Sequence, residues 1–171
     1  MTSIADGIRI IPLGRAGLRA VVSGDLDEAS RVTGVDIPRE YLDATWLWQL
    51  RLDQIDSTPS DEPWVAWVVA SSDDGTVIGR SGFHAGPDAQ GMVELGYTVL
   101  PEFRRRGYAR ALLGLLVEYA RAHPEVRVLR ATISPDNAAS LATLRAFPFR
   151  HVGEQMDEID GLELIFELPV G

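Results

Sequence analysis

Residues 94–109 read Glu-Leu-Gly-Tyr-Thr-Val-Leu-Pro-Glu-Phe-Arg-Arg-Arg-Gly-Tyr-Ala and carry the strongest structural signal in the chain. The pattern predicts a strand that stops at Pro101, a turn rich in arginine, and a helix that begins after Gly107. Such a turn presents backbone N–H groups at the positive end of a helix dipole, which suits an anion such as pyrophosphate. The turn adds three cationic donors, Arg104, Arg105 and Arg106. The stretch therefore predicts a phosphate-binding loop on an α/β scaffold.

Two well-known phosphate loops are excluded by the sequence. The nucleoside triphosphate loop needs a lysine, whereas all 16 basic residues of this chain are arginine. The dinucleotide fingerprint needs three spaced glycines, and Gly107 is the lone glycine of this turn. What remains is the pattern Arg104-x-x-Gly107-x-Ala109, with a solvated charge run as the alternative interpretation.

This pattern resembles the Arg/Gln-x-x-Gly-x-Gly/Ala loop that binds the coenzyme A pyrophosphate in the GNAT superfamily of N-acetyltransferases. Residues 93–102 resemble the fourth strand and following turn of that family, and Asn137-Ala-Ala-Ser140 resembles the segment that opens its next cofactor-side helix. The combination of Glu-x-Gly-Tyr with Asn-x-x-Ser is closest to the subgroup of ribosomal-protein N-terminal acetyltransferases. The match covers residues 80–150, and the N-terminal half matches in pattern only.

Composition bounds the classes of protein to which the chain can belong. With 171 residues and the resemblance, we expect a single acyl-CoA N-acyltransferase domain over residues 1–171. The absence of cysteine excludes disulfides and thiolate catalysis, and the three histidines lack the spacing of a zinc site, so no metal is expected. The net charge of −9 disfavours nucleic acid as a partner. No apolar run reaches membrane-span length and no basic–apolar leader precedes Ile8, so we expect no membrane partner and a cytoplasmic location.

Strands and helices are predicted to alternate along the chain without repeats. The predicted strands are 8–13, 64–71, 76–83, 92–100, 127–133, 150–157 and 162–168, the last two joined by a turn at Asp160-Gly161. The predicted helices are 15–32, 38–52, one with an apolar stripe over 109–120, and 137–147, and residues 53–63 are predicted to be a polar loop. Together with the resemblance, this order implies a mixed α/β (α+β) fold. Its sheet is expected to be twisted, mostly antiparallel, roughly seven-stranded and splayed at the centre, with about four helices.

The resemblance implies transfer of an acetyl group from acetyl-CoA to a primary amine by direct attack in a ternary complex. The chain has no cysteine to carry an acyl-enzyme, which agrees with the direct route. Glu94 occupies the strand position at which some family members carry a catalytic glutamate, and alternation places it on one face with Gly96 and Thr98. It could accept the proton directly or through water. The alternative is a glutamate that pairs with an arginine or caps a bulge.

The departing thiolate needs a proton donor. Many family members place a tyrosine seven residues after the asparagine, where this chain has Leu144. By resemblance, Ser140 takes over by hydrogen bonding to the thiol sulfur. The alternatives are that Ser140 is a small residue chosen for close helix packing, and that the thiolate takes its proton from water.

The resemblance also implies the contacts that hold the cofactor. The strand backbone would bond the pantetheine amides, and the arginine-rich turn would hold the pyrophosphate. Asn137 would bond the pantetheine or nearby backbone, and a helix N-cap is its alternative or additional role. The residues assigned to acetyl-CoA in this way are Tyr97, Thr98, Val99, Arg104, Arg105, Arg106, Gly107, Tyr108, Ala109, Arg110 and Asn137.

The amine acceptor is the part of the function that the sequence leaves most open. A protein or peptide N-terminus ranks first from the resembling subgroup, and a small amine second. Trp46 or Trp48 could line the acceptor cleft, and His84 could be a base or a substrate contact, with a structural role as the alternative for each. A catalytically idle acyl-CoA sensor, motivated by Leu144, and a partner-binding module are the alternative functions. Strand 162–168, as a sheet edge, could pair across a homodimer.

Overall fold

The computed structural model describes residues 4–5, 7–159 and 161–171. The strands are β1 (Ile4–Ala5), β2 (Ile8–Pro12), β3 (Trp67–Ser71), β4 (Val77–Phe83), β5 (Met92–Val99), β6 (Val128–Ile133), β7 (Arg150–Asp157) and β8 (Gly161–Pro169). The helices are α1 (Gly14–Ser23), α2 (Leu26–Thr33), α3 (Thr45–Ser57), α4 (Tyr108–Arg121) and α5 (Ala138–Leu144), with 3-10 turns at Arg39–Ala44, Pro59–Asp61 and Pro101–Phe103. The predicted α/β class is confirmed, although the described residues form five α-helices rather than about four.

The strands lie in one sheet, in the order β1-β2-β3-β4-β5-β6-β8-β7. β5 and β6 run parallel, and the other neighbouring pairs are antiparallel. The mostly antiparallel, mixed sheet is therefore confirmed. Strand 162–168 is not an edge, because β8 lies between β6 and β7; in the described part of the chain the edges are β1 and β7. Of the predicted turn Asp160-Gly161, Asp160 lies outside the described residues.

The predicted helix 15–32 is in fact two helices, and the physical reason is local. Gly24 adopts a left-handed conformation (φ 80°), which ends α1. The Asp25 side chain then caps α2 by accepting a hydrogen bond from the Glu28 N–H at 3.0 Å. The glycine ends one helix and the acidic residue after it begins the next. The apolar periodicity continues across both residues, so by itself it predicts a single helix.

The predicted helix 38–52 is displaced toward the C-terminus. Its first residues form a 3-10 turn, and α3 continues to Ser57. The predicted polar loop 53–63 is therefore wrong in its first half. Ile55 is fully buried and joins the last turns of α3 to the core, although the residues around it in the sequence are polar.

Helices α3 and α4 pack on opposite faces of the sheet. On β4, the Arg80 guanidinium lies 5.7 Å from the centroid of the Trp48 ring of α3. Three residues further on, the Phe83 ring lies 5.8 Å from the ring of Tyr119 on α4. Residues three apart on a strand point to opposite faces. The face toward α3 therefore carries the even-numbered side chains of β4 and β5, which include Arg80, Glu94 and Thr98.

The sheet opens between β5 and β6. These strands pair at only three positions, 92–94 of β5 with 128–130 of β6. From Leu95 onward β5 pairs with β4 alone, while β6 continues along β8 to Ile133. The central splay implied by the resemblance is thus present, and it leaves a gap between the carboxyl ends of two parallel strands.

Candidate active site

Three cavities lie along this gap and on the α3 face of the sheet. The loop cavity includes Val99, Arg104 and Arg110 in its lining; the central cavity includes Ile133, Ser134 and Leu144; the α3 cavity includes Trp46, Arg51 and Arg80. Tyr97 lines all three. The cavities therefore meet at this one residue, beside the point where β5 leaves β6.

The loop cavity is built by the turn between β5 and α4. Gly107 directly precedes α4 and adopts a left-handed conformation (φ 86°), which a glycine takes without strain. In the described part of the chain, the backbone N–H groups of residues 105–109 donate to no protein acceptor. Arg104, Arg105 and Arg110 line the same cavity. Free N–H donors at a helix N-terminus, together with guanidinium groups, fit a pyrophosphate.

Two residues of the turn point elsewhere. The Arg106 guanidinium lies 5.8 Å from the centroid of the Phe103 ring, and the Tyr108 ring packs edge-on against the same ring at 6.3 Å. Neither is among the residues that line the loop cavity. The remaining residues that the sequence assigns to acetyl-CoA do line it: Tyr97, Thr98, Val99, Arg104, Arg105, Gly107, Ala109, Arg110 and Asn137.

Asn137 and Ser140 stand where the loop and central cavities meet, since both residues line both cavities. The Asn137 side chain is the N-cap of α5 and accepts a hydrogen bond from the Ser140 N–H at 3.1 Å. The Ser140 hydroxyl has no protein partner among the described residues. Leu144 is buried and forms an apolar part of the central wall, at the position where many family members have a tyrosine.

Glu94 and His84 form a pair on the α3 face. Glu94 Oε1 lies 3.5 Å from His84 Nδ1 and accepts a hydrogen bond from the Thr132 hydroxyl at 2.6 Å. Within the described residues Glu94 makes no ion pair with an arginine. The His84 side chain is 50% exposed and that of Glu94 only 19%. His84 lines the central and α3 cavities, whereas Glu94 is behind it and is not part of either lining.

The imidazole is placed to accept a proton. It packs over Gly96, where an added Cβ would lie only 3.3 Å from His84 Nε2. Burial lowers the pKa of His84 from its ordinary value of 6.5; the Glu94 carboxylate opposes this and Arg51 adds to it. At neutral pH the imidazole is therefore uncharged, with a nitrogen free to accept a proton.

The pairing of His84 with Glu94 could have been found from the sequence. In the observed register Gly82 lies opposite Gly96, so the next positions outward place residue 84 opposite residue 94. The His84 N–H donates to the Glu94 carbonyl at 2.8 Å, as this register requires. Aligning the predicted strands 76–83 and 92–100 as a hairpin would have brought the two side chains together.

The α3 cavity, of about 290 Å³, lies between α3 and β4. Trp46 and Trp48 both line it, although the first is 66% exposed and the second is buried. Arg51 and Arg80 line it as well, and no acidic residue belongs to the lining described. Sequence reasoning missed both arginines, because no local signal brings the third helix against the fourth strand.

Across residues 4–5, 7–159 and 161–171, no group of three or more His, Asp or Glu side chains is placed to hold a metal ion. In that same part of the chain, no helix is both long enough and apolar enough to cross a membrane.

Comparison with known proteins gives a family match over most of the chain. Residues 15–150 match the model of the acetyltransferase (GNAT) domain. Among curated proteins, the chain is similar to the uncharacterized N-acetyltransferase YjdG of Bacillus subtilis (strain 168), with 30% identity over 84 residues, which are 49% of this chain and 50% of that protein. The chain thus spans about half the length of the curated relatives it matches, 50% in each of two cases.

Solved structures of similar fold cover nearly the whole chain. The ribosomal-protein-S5-alanine acetyltransferase from Vibrio fischeri superposes with a TM-score of 0.68 at 12% identity, over 99% of this chain and 96% of that one. A mutant of the spermidine N-acetyltransferase SpeG from Vibrio cholerae gives a TM-score of 0.67 at 15% identity, over 97% and 95% of the two chains. At such identities the likeness establishes the fold.

Proposed function

Because the chain belongs to the GNAT family of acetyltransferases, we propose that it moves an acetyl group from acetyl-CoA to a primary amine by direct attack on the thioester. The observation that carries this proposal is the meeting of three cavities at Tyr97. The loop cavity offers an anion site, the central cavity a place for the thioester, and the α3 cavity a place for the amine. Residues 1–171 would form a single acyl-CoA N-acyltransferase domain.

The chain's own groups are suited to hold acetyl-CoA. Arg104, Arg105 and Arg110, with the N–H groups of residues 105–109, would bind the pyrophosphate. From Leu95 to Val99, one edge of β5 has no strand beside it in the described structure, so its backbone groups are free to bond the pantetheine amides. Acetyl-CoA would supply the thioester whose acyl carbon receives the amine.

Proton removal is assigned to His84, with Glu94 acting through it. His84 lines the cavities in which amine and thioester would meet, and Glu94 does not. Because Nδ1 faces the Glu94 carboxylate at 3.5 Å, the tautomer protonated on Nδ1 would leave Nε2 as the proton acceptor. The carboxylate, held by Thr132, then stabilises the imidazolium that forms. The sequence ranks Glu94 above His84 as the base; the geometry supports His84 as the base and a positioning role for Glu94 instead.

Ser140 is assigned to the leaving thiolate. As the amine nitrogen bonds to the acyl carbon, the carbon–sulfur bond breaks and the sulfur takes the electron pair. The Ser140 hydroxyl, at the junction of the central and loop cavities, can donate a hydrogen bond to that sulfur. The thiolate takes a proton from solvent, and the proton held by His84 returns to solvent, which regenerates the starting state.

An α-amine is the acceptor that suits this machinery best. Its pKa is about 7.7–8.0, against about 10.4 for a lysine amine, so a weak base is sufficient near neutral pH. A His84 imidazole with a lowered pKa is a weak base of this kind. The structural neighbours include one protein named for ribosomal protein S5-alanine and one named for spermidine. We rank a peptide N-terminus first as the acceptor and a small amine second.

The test is release of CoA from acetyl-CoA across a panel of α-amino peptides, lysine peptides, polyamines and aminoglycosides, with acetyl-CoA affinity measured by calorimetry in parallel. We expect saturable acetyl-CoA binding and turnover on at least one α-amine. Binding without turnover on any amine would favour an acyl-CoA sensor, in keeping with the apolar Leu144 wall. A chain that binds no acetyl-CoA would overturn the proposal.

A further inference from the structure

Two guanidinium groups of the α3 cavity lack an ionic partner. The Arg80 guanidinium lies over the Trp48 ring and, among the described residues, forms no ion pair and donates no hydrogen bond. Arg51 uses Nη1 to donate to Gln54 Oε1 at 2.7 Å and to the His84 carbonyl at 2.8 Å. Its Nε and Nη2 have no protein partner in the described structure.

Partial burial makes these unpaired charges significant. Desolvation lowers the pKa of both Arg51 and Arg80. The acidic residues that act on them, Asp61 on Arg51 and Asp43 on Arg80, do so without direct contact, and neither belongs to the cavity lining. A guanidinium group withdrawn from water without a counter-ion is costly, so an anion that entered the cavity would find two unsatisfied donors.

The central cavity, which adjoins the α3 cavity at His84, has the opposite charge. Beyond His84, Glu94 lies 3.5 Å from the imidazole. Glu163 lines the central cavity beside His84 and also acts on its charge. An ammonium group next to His84 would therefore lie near two carboxylates, while the α3 cavity offers two guanidinium groups. This arrangement is complementary to a molecule with an amine at one end and an acid at the other.

We propose that the acceptor is an α-amine that bears a carboxylate, and that Arg51 and Arg80 bind this carboxylate in the α3 cavity. The inference rests on the proposed function and narrows its acceptor class. The same chemistry is found in a free amino acid and in a peptide with an acidic side chain at its first residue. It excludes polyamines and aminoglycosides, which would bring further positive charge to the two arginines.

The size and walls of the α3 cavity define the acceptor further. Its volume of about 290 Å³ is at the lower end of the range for ligand pockets, which suits one amino acid or the first residue of a peptide. Trp46 and Trp48 give it an aromatic wall, and the exposed Trp46 ring lies at the rim. An apolar side group beside the carboxylate would cover that ring.

The experiment compares pairs of acceptors in which an amide replaces the carboxylate, with rates expressed per neutral amine because the carboxylate also raises the pKa of the neighbouring amine. Phenylalanine is compared with phenylalanine amide, and Asp-Ala-Phe-amide with Asn-Ala-Phe-amide; spermidine is the cationic arm. For each, kcat/KM is measured at saturating acetyl-CoA, and binding is measured by calorimetry in the presence of CoA. In at least one pair, we expect the acceptor with the carboxylate to exceed its amide about tenfold or more in both kcat/KM and binding affinity. A difference of this size is what loss of a charged hydrogen bond implies. The favoured pair distinguishes a free amino acid from an acidic peptide.

Variants of the arginines provide the second readout. In Arg80→Met and Arg51→Met we expect the acid-to-amide ratio to fall to about one, with unchanged acetyl-CoA affinity. Arg19→Met removes an exposed arginine of α1 that lies outside these cavities, and it should keep the full ratio. Thermal melting checks that each variant is folded. If one arginine variant does not fold, the other still tests whether the acid-to-amide ratio depends on these arginines.

The outcomes separate this inference from the function on which it rests. Robust turnover in which amides or spermidine equal or exceed the acids would overturn the carboxylate-bearing acceptor and leave acetyl transfer intact. A preference that survives both arginine variants would overturn the assignment of Arg51 and Arg80. Lack of turnover on every amine would remove the proposed function, and equal binding of acids and amides would then overturn this inference as well.

Discussion

The loop cavity and the α3 cavity are both lined by arginines, yet the chain builds them in different ways. Arg104 and Arg105 belong to the turn before α4 and Arg110 to the first turn of that helix, and the donors beside them are backbone N–H groups of the same segment. The α3 cavity instead brings Arg51 together with Arg80, which is on another element and distant in sequence. One site is a property of a contiguous segment, whereas the other exists only once helix and sheet have packed.

This difference implies that the two proposed ligand sites can vary independently. In the proposed function, the turn between β5 and α4 would hold an anion whatever side chains α3 presents, because the donors are the backbone of the turn itself. The α3 cavity can be changed by a few side chains without disturbing that turn. Between the two sites lies the His84–Glu94 pair, on which both ligands would depend.

The largest effect is expected at this shared position. In His84→Gln we expect kcat to fall about 100- to 10,000-fold, because a positioned general base contributes on that order. Acetyl-CoA affinity should change far less than kcat, since the imidazole lies outside the loop cavity that would hold the pyrophosphate. Steady-state kinetics and calorimetry measure the two quantities. His151→Gln, in an exposed position on β7, is the matched control and should behave as the wild type. Full activity in His84→Gln would contradict the role of His84 and leave Glu94 or water as the general base.

The second change separates the two sites directly. Gly107→Val places a β-branched side chain at φ 86°, which displaces the backbone donors of the turn, and we expect acetyl-CoA affinity to fall about tenfold or more. Acceptor binding in the α3 cavity should be little changed. Calorimetry with each ligand gives the result.

Gly24→Val provides a close control for this change. Gly24 has nearly the same φ, 80°, and both glycines have nothing within 4 Å of an added Cβ. Both variants should lose about 1–2 kcal/mol of unfolding free energy from left-handed strain. Only Gly107→Val should lose affinity for acetyl-CoA, and an equal loss in both would mean that general destabilisation is the cause.

The third change tests the support beneath the α3 cavity. Tyr41 donates a buried hydrogen bond to the Gly79 carbonyl at 2.8 Å and stacks on Trp48 at 5.2 Å. Tyr41→Phe removes this buried hydrogen bond, so the free energy of unfolding should fall by about 0.5–1.5 kcal/mol. Urea denaturation measures the loss. Tyr108→Phe removes a hydroxyl with no protein partner in the described structure and should leave stability unchanged.

The smallest effect concerns pH. Burial lowers the pKa of His84 and the Glu94 carboxylate raises it, so Glu94→Gln should lower that pKa further. In the proposed mechanism the neutral imidazole is the active form, so activity should fall as pH drops through the pKa of His84. The acidic limb of kcat/KM should therefore move to lower pH in Glu94→Gln, with a reduced plateau. A limb that moves to higher pH, or disappears, would contradict the pair.

These two regions also show what the sequence can predict and why. The anion-binding part of the loop cavity could be predicted because its arginines and backbone donors are contiguous in sequence: Gly107 directly precedes a helix, and arginines flank it. The α3 cavity could not, because the end of α3 depends on burial of Ile55 and the position of Arg51 depends on a hydrogen bond to residue 84. Such contacts follow from tertiary packing, which the local periodicity of the sequence does not predict.

The three paired positions between β5 and β6 also have a mechanical consequence. They are the only ladder joining the two halves of the described sheet, β1 to β5 on one side and β6, β8 and β7 on the other. A pantetheine arm bonded along the free edge of β5 would make the sheet more rigid beside these three paired positions. We therefore expect the sheet to be most rigid with the cofactor bound and to become more flexible each time the product is released. The two halves of the sheet would then close and open once in each catalytic cycle.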